Sequence, residues 1–271
     1  MNAWAPVDRG SGRPLVLIPG IQGRCQWMAP AIEALSRRYR VLSFSLNDLG
    51  ASEGFFDRCV ARIDALLDAS AGPEAAAVVT GVSFGGLVAV RYAARRAGRT
   101  SHLVLTSSPS PRWPLDPVSA RYIRRPRLAV PAFALRSIPR IAPEIAASLP
   151  SWTRRTTFTA QHLARVIRYP LAPRHMAAWV HAWMSTDFVS DCRSIRAPTL
   201  LITGDASLDR VVPVASSLDY LQLIAGSRHV VLRQTGHLGL ITKPDAYARV
   251  IEAFVDAQAP SLEPQSVSRK S

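Results

Sequence analysis

The chain has 271 residues, 48% of them hydrophobic, enough to bury a full core as one large domain or as one domain carrying an insertion, which argues against disorder except at the end. No run approaches the roughly 18 apolar residues that span a bilayer, and the opening MNAWAPVDRGSGRP lacks the apolar centre of a signal peptide, so no stable membrane insertion and a cytoplasmic location are expected. The net charge of +14 invites a nucleic-acid partner, but no recognition motif accompanies it, and none is expected.

In chain order, short apolar runs alternate with helical patterns. The runs are Pro14 to Pro19, Arg40 to Ser45, Ala76 to Val82, His102 to Thr106, Pro198 to Thr203 and Arg228 to Arg233. They are continuous rather than alternating, as in strands buried on both faces of a parallel sheet. Between them lie segments with one apolar stripe: Ile32 with Leu35, Val60 with Ile63 and Leu67, Val88 with Tyr92, and Val250 with Ile251 and Phe254. Strand then helix, repeated, predicts right-handed crossovers and an α/β fold with a mostly parallel, doubly wound sheet.

The pattern breaks between about Ser107 and Ser185, where no buried strand is found and eleven of the 21 prolines fall. Prolines at 126, 131, 139, 143, 150, 170 and 173 are expected to cut any helices there into short pieces. The chain therefore divides into a core of residues 1–106 and 186–259 and a helical cap inserted at 107–185. The polar tail 260–271, without aromatics, is not expected to pack. Between Pro109 and Arg174 twelve arginines accompany only Asp116 and Glu144, a distribution read first as a solvated basic face. Cys25, Cys59 and Cys192 are odd in number and widely spaced, which suits reduced thiols rather than disulfides or a zinc site.

Gly81-Val82-Ser83-Phe84-Gly85 sits where a predicted strand, Ala76 to Val82, meets a predicted helix, Leu87 to Ala97. A serine on such a turn takes a strained backbone conformation, and the positions two before and two after it must be nearly free of side chain. The turn exposes the hydroxyl at the C-terminal edge of the sheet, where open α/β sheets place their sites. A serine needs a base oriented by a carboxylate to act as a nucleophile near neutral pH. Of six histidines, His237 follows the last strand and shares that edge. His102 and His229 begin strands at the opposite edge, and His162, His175 and His181 lie in the cap. Asp205 and Asp209 both lie on the loop after the strand ending at Thr203, and position alone allows either to be the acid.

These residues together resemble the α/β-hydrolase superfamily, in its capped bacterial esterase-like branch of serine hydrolases. The likeness runs from Leu15 to Phe254 through LVLIPG, the GVSFGG nucleophile elbow, Asp209-Arg-Val-Val-Pro213 and Gly236-His237, in the order Ser, Asp, His. It implies the catalytic triad Ser83, Asp209 and His237. Asp209 is favoured by its spacing to Pro213, whereas counting forward from Gly204 points near Ser207, so this loop is about two residues longer than usual. The resemblance also implies an oxyanion hole from the backbone N–H groups of Phe84 and Ile21, with Gln22 as the alternative to Ile21. Two features depart from it. Pro19-Gly20 stands where His-Gly is common, and the thirteen or so residues before Leu15 leave room for a shortened antiparallel start, down to one strand.

The activity implied is hydrolysis of a carboxylic ester through an acyl-enzyme on Ser83. No phosphate loop, dinucleotide fingerprint or His/Cys cluster is present, so no cofactor and no metal are expected. The partner expected is a small-molecule substrate, made anionic if the arginine excess faces it. Trp113, Phe133, Trp152, Phe158, Trp179, Trp183 and Phe188 are expected to build the cap's own core or to line its apolar cavity. The same triad also suits carbon–carbon bond hydrolysis, perhydrolysis or a lyase step, and the fold also suits a non-catalytic binding protein.

Overall fold

The computed structural model describes residues 5–114 and 130–257, and for 130–136 the backbone only. The tail 260–271 and Phe133's side chain lie outside the described residues. Seven strands form one sheet: β1 (Val7–Arg9), β2 (Arg13–Ile18), β3 (Tyr39–Ser43), β4 (Ala77–Val82), β5 (Thr100–Thr106), β6 (Thr199–Thr203) and β7 (Arg228–Val231), in the order β1-β3-β2-β4-β5-β6-β7. Only β1 runs antiparallel, with Val7 opposite Ser43. The other five pairings are parallel, so the C-terminal ends of β2, β4, β6 and β7 share one edge.

The strands are flanked by α1 (Ala29–Leu35), α2 (Phe55–Ala71), α3 (Gly85–Arg95), α4 (Val130–Ser148), α5 (Trp152–Arg168), α6 (Pro173–Met184), α7 (Phe188–Ser194), α8 (Val214–Leu218), α9 (Tyr220–Leu223), α10 (Gly239–Thr242) and α11 (Pro244–Asp256). Successive strand residues point to opposite faces. Val16, Val79, Leu103 and Leu201 pack on one side with Ile63 and Leu67 of α2 and Val88 and Tyr92 of α3. Leu15, Val78, Val104 and Leu200 pack on the other with Ile32 and Leu35 of α1 and Ile251 and Phe254 of α11. The predicted helix stripes therefore meet the sheet from both sides. β7 differs from its reading as doubly buried: it is an edge strand, with Arg228 and Val230 exposed.

The prolines between β5 and β6 act differently from expectation. α4 and α5 are 19 and 17 residues long rather than short pieces. Pro126 lies outside the described residues; Pro173 falls in a first helical turn, where no N–H bond is lost, and Pro150 and Pro170 lie between helices. Pro139 and Pro143 do lie inside α4, one turn apart. The helix persists because its last turn is anchored, with Glu144 and Ser148 buried against the loop from Gln234 to Leu238 and Arg155 donating to the carbonyls of Ala146 and Leu149.

Of the aromatic residues expected to build the segment's own core or to line its cavity, Trp179, Trp183 and Phe188 pack onto the main core. Trp179 is fully buried, stacks on Phe55 at 5.0 Å, lies 6.3 Å from Phe84 and donates through Nε1 to the Gly50 carbonyl. Trp183 meets Phe84 edge-on, and Phe188 packs on Phe56. All three close onto α2 and the elbow rather than forming a separate core, while Trp152 is 76% exposed. Cys25, Cys59 and Cys192 are free and buried.

Candidate active site

The apolar run of β4 is buried along its whole length and ends at Val82, so the chain must turn before α3 starts at Gly85. Ser83 takes the turn with φ +52°, in the left-handed region that costs a side-chain-bearing residue on the order of 1–3 kcal/mol. Neighbours compensate: its N–H donates to Thr106 at 2.8 Å, and its carbonyl accepts from Gly86 at 2.9 Å. A methyl group on Gly81 would strike the Gly85 backbone, and one on Gly85 would lie 2.5 Å from the carbonyl oxygens of Ile18 and Pro19. Both obstacles are backbone, which cannot rotate aside. Gly81→Ala is therefore expected to destabilise the fold by about 2–4 kcal/mol, read as a lowered urea midpoint.

The loop after β2 abuts this turn. Gly23 donates to the Gly20 carbonyl at 2.8 Å, closing a tight turn around Ile21, and a methyl group on Gly20 would lie 3.3 Å from Ser83 Cβ. Asn47 Nδ2 donates to the Gln22 carbonyl at 3.0 Å, and His175 of α6 meets Asn47 Oδ1 at 3.3 Å. Nothing local in the sequence signalled this support.

On the same edge, Asp209 and His237 come together. His237 Nδ1 lies 3.4 Å from both Asp209 carboxylate oxygens, with both side chains buried. Asp209 Oδ1 also accepts from the N–H groups of Val211 and Val212 at 3.1 and 3.0 Å. Burial pushes the Asp209 carboxyl up, but the His237 hydrogen bond, its charge and these two N–H groups outweigh it and hold the group below its ordinary value. With Nδ1 engaged, Nε2 is the ring nitrogen left for a nucleophile.

Asp205 does other work. Its carboxylate accepts from the Gln234 N–H at 2.7 Å and from Arg233 at 3.2 Å, and its carbonyl accepts from Leu208 and Asp209, winding the loop into a turn that carries Asp209 inward. Gly236 permits the meeting of the two loops, because a methyl group there would lie 2.5 Å from the Leu208 carbonyl oxygen.

Sequence reasoning missed one buried acid. Glu144 of α4 is 1% exposed, and its Oε1 accepts from the Leu238 N–H at 2.7 Å. Burial pushes its carboxyl up to about 7 against the lowering effect of the Gly236 and Leu238 N–H groups and of His237. Its rarity was the available signal, as one of two acids among twelve arginines. Among the described residues, no group of three or more His, Cys, Asp or Glu is placed to hold a metal ion.

A strained serine at a strand-to-helix turn, on the same edge of a doubly wound sheet as an acid–histidine pair, fits the class of hydrolytic enzymes of α/β architecture. The model of the alpha/beta hydrolase family matches residues 15–250, and the chain belongs to that family. It is 30% identical over 269 residues to a 2-hydroxy-6-oxo-2,4-heptadienoate hydrolase of Pseudomonas putida, covering 93% of this chain and 92% of that one. Its fold is similar to the enol-lactonase of Burkholderia xenovorans LB400, with TM-score 0.71 and 24% identity over 93% of this chain and 96% of the other. It is also similar to an esterase of Exiguobacterium antarcticum, with TM-score 0.73 and 18% identity over 93% and 94% of the two chains.

Proposed function

We propose that the protein hydrolyses a carboxylic ester, or a related acyl compound, through an acyl-enzyme on Ser83. The observation that carries this reading is that a strained Ser83 and the buried Asp209–His237 contact at 3.4 Å lie on one edge of the sheet. Ser83 Oγ attacks the substrate carbonyl while His237 Nε2 takes its proton. The N–H groups of Ile21 and Phe84 meet the oxyanion as charge develops. Collapse of the tetrahedral species breaks the carbonyl–oxygen bond, and His237 returns the proton to the departing alcohol. Water, deprotonated by His237, then releases the acid and restores Ser83. Helices α4 to α6 serve as the cap, and its arginines favour a small anionic substrate.

A second reading is hydrolysis of a carbon–carbon bond, favoured by the 30% identity over 269 residues with the Pseudomonas putida hydrolase. The compound named for that relative has a carboxylate and a ketone but no ester. One comparison separates the readings: kcat/KM for p-nitrophenyl butyrate, a carboxylate-bearing ester and 2-hydroxy-6-oxo-2,4-heptadienoate, each at low and high salt. Turnover of esters, greater for the anionic one and weakened by salt, supports the first. Turnover of the oxo-dienoate alone replaces it with the second.

A further inference from the structure

The loop from Gln234 to Leu238 carries the histidine proposed as the base, and it is not relaxed. Gln234 has φ +57°, a left-handed conformation that persists only where surroundings over-determine it. Three attachments do so. The Gln234 N–H donates to Asp205 Oδ2 at 2.7 Å, its side-chain Oε1 accepts from Lys243 Nζ at 2.8 Å, and its carbonyl accepts from Ser148 Oγ at 2.8 Å. Ser148 lies on α4, one turn beyond Glu144, so both point from the same helix face. Glu144 holds the other end of the loop, its Oε1 accepting from the Leu238 N–H at 2.7 Å, immediately after His237.

Glu144 is 1% exposed, and the charged and titratable groups that face it among the described residues are His237 and Asp209, both from loops after the parallel strands. Burial raises its carboxyl to about 7, so in the neutral range the side chain serves the loop as a hydrogen-bond acceptor held in a fixed place rather than as a fixed charge.

We infer that Glu144 is a positioning residue for the reaction proposed above: delivered by α4, its carboxyl holds the loop at Leu238 while Ser148 of the same helix holds it at Gln234, so alignment of His237 between them depends on docking of that helix. This inference rests on the reading of Ser83 and His237 as nucleophile and base. It also explains why α4 stays helical through Pro139 and Pro143, since its C-terminal turn is fastened to the site.

The test compares wild type, Glu144→Gln, Glu144→Ala and Ser148→Ala. Glu144→Gln keeps an acceptor for the Leu238 N–H, so its kcat on p-nitrophenyl butyrate and its exchange in the 232–242 peptide are expected to stay within about threefold of wild type. Glu144→Ala is expected to lower kcat about tenfold or more with KM little changed, and to raise hydrogen exchange of the 232–242 peptide by about tenfold relative to the rest of the chain. Ser148→Ala is expected to do so more weakly. The exchange measurement needs no turnover, so it reads the clamp even where no ester is cleaved. An unchanged exchange rate in Glu144→Ala, or a Glu144→Gln variant impaired as much as Glu144→Ala, overturns the inference. If instead Ser83→Ala stays active while the exchange rises, the catalytic reading fails, and with it the positioning role.

Discussion

Replacing Ser83 by Ala is expected to lower kcat by about 10^5- to 10^6-fold and to abolish labelling by a fluorophosphonate probe, with the thermal midpoint held within a few degrees of wild type. The loss is large because in the proposed reaction the hydroxyl forms and breaks the covalent bond, and no neighbouring hydroxyl shares its turn. Ser107 and Ser108 follow β5, and Ser108 Oγ already donates to the Thr106 carbonyl. The fold is expected to tolerate the change because Ala keeps the Cβ, and the two bonds that compensate the turn come from the backbone, Ser83 N–H to Thr106 and Gly86 N–H to Ser83. The residual rate comes from bound substrate and oxyanion donors, which Ala leaves intact. Full ester turnover by this variant would sink the assignment of the nucleophile.

The second large effect separates two aspartates four positions apart. Asp209→Asn is expected to reduce kcat by about 10^3- to 10^4-fold, because an amide facing Nδ1 no longer holds the imidazole in the right tautomer or stabilises its charged form. Asp205→Asn is expected to change kcat by less than about fivefold, since Asn retains an oxygen for the Gln234 N–H and loses only an ion pair with an exposed Arg233. Steady-state kinetics on one ester, with circular dichroism to check folding, reads both. The reverse order of effects would transfer the acid to Asp205.

The elements were legible where a local period carries the information. Continuous apolar runs located six of the seven strands, β2 to β7, and the stripes of Ile63 with Leu67 and Val88 with Tyr92 meet the sheet as their spacing requires. The edge position of β7 escaped, because an apolar run reads alike in an edge strand and a central one. The inserted helices were read as shorter than they are, because proline was weighed by its local effect. Tertiary anchoring at Glu144, Ser148 and Arg155 holds α4 together, and none of those contacts has a sequence period.

By itself the sequence determined the α/β class, the strand-to-helix turn that strains Ser83, and the placement of Asp205, Asp209 and His237 on loops at the same sheet edge. These follow from residue periodicity and from which positions tolerate a Cβ, both of which are properties of short segments. Tertiary structure decided which aspartate His237 meets, since that pairing spans 28 residues and depends on how two loops dock at Gly236. It also brought Glu144 across 94 residues to the base loop, a contact made only when an inserted helix folds back onto the sheet edge. Side-chain pairing at such separation is set by the packing of whole elements, which no local pattern encodes.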